Sequence, residues 1–106
     1  MEITITNEQK IKVTATPVTS TGKAAELDGA LRVSVVSGDS TFAQDDTDPK
    51  SVSLVSSDTP GDTTFLIEGD ADLGEGVELV QDTVTLHVQG ARAANLGLAV
   101  GTAEAK

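Results

Sequence analysis

The 106-residue sequence predicts an all-β domain, a two-sheet antiparallel sandwich of about seven strands. Three observations predict it. Apolar residues recur at every second position in one short stretch after another, the period of a half-buried strand. Clusters of Gly, Pro, Asn, Asp and Ser separate those stretches at short spacing. Thr, Val, Ser, Gly and Asp are used heavily, and they suit strands and turns better than helices. No three- or four-residue apolar period competes before residue 90.

In order along the chain, residues 2–6 alternate, with Ile3 and Ile5 on one side and Glu2, Thr4 and Thr6 on the other. Asn7-Glu8 reads as a turn. Residues 9–18 alternate again, Ile11, Val13 and Ala15 against Lys10, Lys12, Thr14 and Thr16, with Pro17 near the end because proline cannot donate to a central ladder. Residues 19–29 are polar, contain Gly22, Asp28 and Gly29, and read as a loop. The third strand, residues 30–36, points Leu31, Val33 and Val35 inward and Arg32 and Ser34 outward. Ser37-Gly38-Asp39-Ser40 ends it, and Thr41-Phe42-Ala43 forms a short strand before the turn Asp45-Asp46-Thr47-Asp48-Pro49.

Residues 51–56 follow with Val52 and Leu54 as the buried pair, then the turn Thr59-Pro60-Gly61-Asp62. Residues 63–70 send Phe65 and Ile67 inward. An acidic connection, Asp72-Leu73-Gly74-Glu75-Gly76, leads to the longest stretch, residues 77–89. It is expected to break near Gln81-Asp82 and to bury Val84, Leu86 and Val88. The domain so read covers residues 1–90. Residues 91–106 differ: nearly uncharged and rich in Ala and Gly, they alternate Leu96, Leu98 and Val100 with Asn95, Gly97 and Ala99. A helix through residues 91–94 would be weakened by Gly97 and Gly101, roughly 1 kcal/mol each. The segment reads as a frayed terminus, a final edge strand, or an arm that pairs with a neighbouring chain.

Phe42 and Phe65 are the only aromatics, so Val, Leu, Ile and Ala must build the core and the burial contribution per residue is small. Stability is expected to be modest unless assembly supplements it. With no cysteine there is neither a disulfide nor a thiolate for metal or catalysis. The net charge of −10 argues against a nucleic-acid partner. Between Asp39 and Asp82 twelve acids face the single base Lys50. That run reads either as a solvated face or as a surface that selects partners or cations. The N-terminal residues lack the basic and apolar regions of a secretory signal, and no stretch approaches a membrane span, so synthesis and retention in the cytosol are expected.

Catalytic motifs are not found. The only histidine, His87, falls on the outward side between Leu86 and Val88, where a flat sheet face offers a general base neither partner nor pocket. No serine sits in a G-x-S-x-G elbow, and the glycines lack the Lys-Ser/Thr of a phosphate loop. Asp70, Asp72 and Glu75 form a weak candidate for calcium, since carboxylates two apart in a loop can ligate it through oxygen, yet their spacing does not satisfy the twelve-residue calcium loop. Asp45, Asp46 and Asp48 are a second loose cluster. Both are expected to be solvated turn acids. Neither an enzyme activity nor a cofactor is expected.

The segments QKIKVTATP (residues 9–17), RVSVVSGD (32–39), SVSLVSSD (51–58), PGDTTFLIEGDAD (60–72) and TVTLHV (83–88) resemble the bacterial Ig-like domains. The resemblance spans residues 1–90 and implies an immunoglobulin-like sandwich. A strand B is followed by a strand C with a Ser-rich turn, then a Gly-led strand F and a closing strand G. Val33 or Val35 stands where the family often has a tryptophan on strand C. With the run DADLGEGVE (70–78) before the last strand, the chain also resembles small Ig-like proteins of tailed phages and prophages, which decorate virion surfaces. That resemblance implies a non-enzymatic structural protein on the capsid or tail, assembled in the host cytoplasm. It would dock on capsid, tail or sister subunits through Leu96, Leu98 and Val100, with homo-oligomers among the outcomes and with neither nucleic acid nor membrane as partner. The alternative is a bacterial cell-surface or adhesion module, and a third class is a calcium- or carbohydrate-binding sandwich.

Overall fold

The computed structural model describes residues 1–19, 21–72, 76–92 and 96–106. Its strands are β1 (Glu2–Thr6), β2 (Lys10–Thr14), β3 (Glu26–Leu27), β4 (Arg32–Ser37), β5 (Thr41–Gln44), β6 (Ser51–Val55), β7 (Gly61–Asp72) and β8 (Val77–Gln89). No helix occurs among the described residues. The strands form two sheets. In one, β1, β8 and β7 are neighbours and both β4 and β3 pair with the far side of β7; in the other the order is β2-β6-β5.

The first sheet is mixed where an antiparallel one was expected. Strand β1 runs parallel to β8, from Glu2 opposite Thr85 to Thr6 opposite Gln89. Parallel neighbours need a long crossover between them, and here nearly the whole domain supplies it. All other pairings are antiparallel.

One core lies between the sheets. Ile5, Phe65, Val84, Leu86 and Val88 enter it from the five-stranded sheet, and Val52 and Leu54 from the three-stranded one. These are positions that period-2 alternation selects. Phe42 of β5 meets Phe65 edge-on, with ring centroids 6.5 Å apart and planes at 85°, the arrangement that sets the positive edge of one ring against the negative face of the other. Burying a Leu or Val contributes about 1.5–3 kcal/mol, so a handful of aliphatic side chains and one aromatic pair carry most of the packing energy.

The chain passes from the first sheet to the second at Gly38, whose φ of 101° lies in the left-handed region. A Cβ there would come within 2.5 Å of the Asp62 carbonyl oxygen and 2.6 Å of Thr63 Cα, so only glycine lets this turn lie on β7. Just beyond it, the buried Ser40 donates its backbone N–H to Thr63 Oγ1 at 3.0 Å, and Ser40 Oγ accepts from the Ser57 N–H at 3.1 Å.

Two local expectations are corrected and a third is qualified. The stretch read as loop contains β3, which pairs Glu26 with Asp72 and Leu27 with Ala71; its two residues are too few to show a period. Strand β8 does not break at Gln81-Asp82, because β7 is equally extended and pairs Glu68 with Gln81 and Ile67 with Asp82. Val35 lies opposite Phe65 and shares its face, but on β4, which has β7 as its one neighbour, it stays exposed; the register shifts beyond it, between Val35 and Ser37, and Val36 is exposed as well. A bulge of this kind re-aims side chains in a way alternation alone does not reveal.

Candidate functional site

The β7–β8 hairpin is much longer than the strands that cover it. Strands β7 and β8 have 12 and 13 residues, while β2 and β6 have 5 each. The burial along β8 divides accordingly: Val84, Leu86 and Val88 are buried, but every residue from Val77 to Thr83 is exposed. Beyond the reach of the three-stranded sheet, the inner face of the hairpin opens into a groove of about 310 Å³. Met1, Pro17, Leu27, Leu31, Ile67 and Val80 are among the side chains that line it. The groove is thus an extension of the core left without its second layer.

The groove adjoins an open strand edge. On the side of β8 away from β7, β1 occupies only Thr85 to Gln89, and the Met1 amino group donates to the Thr83 carbonyl at 3.2 Å. No strand among the described residues pairs with that side between Val77 and Asp82. The Thr85 N–H donates to the Met1 carbonyl, so odd-numbered residues turn their backbone groups toward this edge, and continuing the alternation assigns Leu79 and Gln81 to it. Val77, Leu79 and Val80 are all at least half exposed. An apolar groove beside unpaired backbone is what an added strand requires: ladder hydrogen bonds on one side and pockets for alternate side chains on the other.

His87 lies on the outer face as its parity predicts, yet it has partners. Its Nδ1 is 2.7 Å from Asp62 Oδ1 and its Nε2 is 3.1 Å from Glu2 Oε1. The hydrogen bond to Asp62 first, and that to Glu2 second, raise the His87 pKa above its ordinary 6.5. The sequence concealed this because Glu2 and Asp62 belong to the two strands flanking His87, far away in the chain. Asp62 stands directly opposite His87, a cross-strand pair. Charged, the ring ties β1 to β8 and β7 through side chains. The cluster sits on an open sheet face, outside the groove.

The acidic candidates are mostly engaged with the protein itself. Asp70 receives both Arg32 guanidinium nitrogens, at 3.2 and 3.3 Å, a fork that occupies both carboxylate oxygens. Asp72 closes β7 opposite Val77 and Glu26, and Glu75 lies outside the described residues. Asp45 Oδ1 accepts from the Thr47 N–H and hydroxyl, and Lys12 Nζ approaches Asp45 Oδ2 at 2.9 Å. The Lys12 and Thr47 hydrogen bonds hold the Asp45 carboxyl well below the usual carboxylate range. Asp48 accepts from the Lys50 N–H and the Ser51 hydroxyl. These bonds build the turn between β5 and β6. No group of three or more His, Cys, Asp or Glu side chains poised for a metal occurs among the described residues.

Leu96, Leu98 and Val100 are 85%, 86% and 100% exposed. Residues 96–106 form no strand, so the edge-strand reading of the tail does not hold for them; the possible helix at residues 91–94 falls partly outside the described residues.

No protein-family model and no curated protein matches the chain. Among solved structures it is similar to a nucleoside hydrolase-related hypothetical protein from Saccharophagus degradans that is associated with carbohydrate metabolism, with a TM-score of 0.58 and 15% identity. The match covers 84% of this chain and 22% of that one. The chain therefore spans about a fifth of that protein's length, and at this identity the likeness is one of fold alone.

Proposed function

We propose that the chain is a non-enzymatic structural domain of immunoglobulin-like type that docks on a protein lattice, on the capsid or tail of a phage virion. The pairing pattern supports the fold assignment. One sheet sets β4, β7 and β8 side by side and the other β2, β6 and β5, an order compatible with C, F, G and B, E, D of such a sandwich. The observation that carries the functional reading is the exposure of Leu96, Leu98 and Val100, an alternating apolar segment outside the core of an otherwise acidic, soluble-faced chain. Such a segment gains free energy by entering a partner, and weak contacts repeated over a lattice hold through multivalency.

The test is co-sedimentation of the full chain with purified particles. Leu96→Asp with Leu98→Asp is expected to abolish association while leaving the unfolding midpoint unchanged. Particles that lack the polypeptide, or that retain the double variant, would overturn the reading. A second reading is a module of a longer protein, of the bacterial cell-surface or adhesion kind, since in the structural neighbour this fold occupies only 22% of the chain. A coding sequence continuing into tandem copies behind a signal peptide would select it.

A further inference from the structure

We propose that the open edge of β8 is the receptor for the C-terminal segment of a second copy of this chain, which adds Leu96 to Val100 as a strand beside Val77 to Asp82. The inference rests on the docking role given above to that segment and names its partner.

Two features fit each other. Five residues of extended chain measure about 17 Å and the six-residue open edge about 20 Å. The segment's apolar residues alternate, so one set enters the near side of the groove beside Val80 and Met1 while its backbone continues the ladder that β1 ends at Thr83. The charges also match. Glu78 and Asp82 lie on β8 at the edge, whereas Arg92 is the sole charged side chain between Gln89 and Ala103. In a chain of net charge −10, this segment meets an acidic edge with least repulsion. Gly97 stands at a φ of 63°, and lacking a Cβ it passes to the extended form without steric cost.

Reach selects a neighbouring copy over self-docking. Going back along β8 from Gln89 to Asp82 covers about 24 Å, and seven extended residues from Gln89 to Leu96 span no more than that. Nothing is left for reversing direction or for passing around β1, which occupies the edge in between. A head-to-tail contact of this kind makes each copy both donor and acceptor, so it propagates into rings or chains.

The absence of native cysteine permits a direct test. Full-length Val80→Cys and Leu98→Cys variants are mixed under mild oxidation and resolved on a non-reducing gel. A cross-linked dimer from the mixture, several-fold stronger than from either variant alone, is expected. Leu96→Asp added to the Leu98→Cys chain should remove it. Equal dimer yields in all three samples, or cross-links found only within single chains of the Val80→Cys/Leu98→Cys double variant, overturn the proposal. Failure here with retained particle association removes the sister copy as partner and leaves the lattice reading standing. Cross-linking in a protein that never associates with particles does the reverse.

Discussion

Thr63 offers the sharpest test of how the two sheets are joined. It is fully buried on β7, and its hydroxyl oxygen accepts the backbone N–H of buried Ser40 at 3.0 Å where the chain crosses between sheets. Valine has nearly the same shape but replaces that oxygen with a methyl group. The Ser40 N–H then stays buried without an acceptor, at a cost of about 1–3 kcal/mol, offset by up to ~0.8 kcal/mol for the added apolar group. We therefore expect Thr63→Val to lose about 0.2–2 kcal/mol, a fall in Tm of roughly 1–16 °C for a domain of this size. Thr63→Ser keeps the acceptor and loses only the methyl group. The assay is urea unfolding of both variants together with amide hydrogen exchange. The Ser40 amide should exchange faster in the valine variant and keep its protection in the serine variant. If Thr63→Val unfolds at the wild-type midpoint with Ser40 still protected, the crossing is not held by this bond.

Three further outcomes are expected. Leu54→Ala, at a fully buried position of the small sheet, should cost about 2–5 kcal/mol, visible as a lower urea midpoint at unchanged slope; a loss under 1 kcal/mol would show that Leu54 does not bridge the sheets. Because partners raise the His87 pKa above its ordinary 6.5, its stabilisation is fully present below that value and disappears as pH rises through the raised one. Unfolding midpoints of the wild type measured from about pH 5 to 8 should thus decline relative to those of His87→Gln, and parallel profiles would remove the Glu2–His87–Asp62 tie. With both Asp70 oxygens held by Arg32, millimolar calcium should leave the Tm unchanged, and a saturable rise would restore the acidic loop as a metal site.

Much of the architecture is legible in the residues because a strand with one buried face writes its orientation into every second side chain. Ile5, Val52, Leu54, Phe65, Val84, Leu86 and Val88 were all placed by parity and all form the core. What parity cannot supply is partnership. It gives no direction for β1, whose parallel pairing depends on a strand at the other end of the chain, and no warning of the bulge at Val36. It set His87 outward correctly yet concealed the two carboxylates beside it. The groove was hidden for a different reason. The apolar residues of β8 change parity across Gln81, odd at Val77 and Leu79 and even at Val84, Leu86 and Val88, which reads as a break, while the shortness of β2 and β6 leaves the first half uncovered. The exposed tail was visible as an unusual composition, while the edge that matches it required the topology.

Strand β1 precedes the other strands, but its strand partner among the described residues, β8, follows all of them, with the Met1 amino group bonded 82 residues away. At about 5–20 residues per second of synthesis, Ile3 and Ile5 wait roughly 4–16 s on the ribosome before Thr85 to Gln89 exist to receive them. Folding of the larger sheet thus cannot run from the N-terminus forward, and its closure is the final event. From the moment β8 forms until β1 docks, its whole edge is open to whichever strand arrives first, so the order of arrival at this edge separates a closed monomer from an entangled pair.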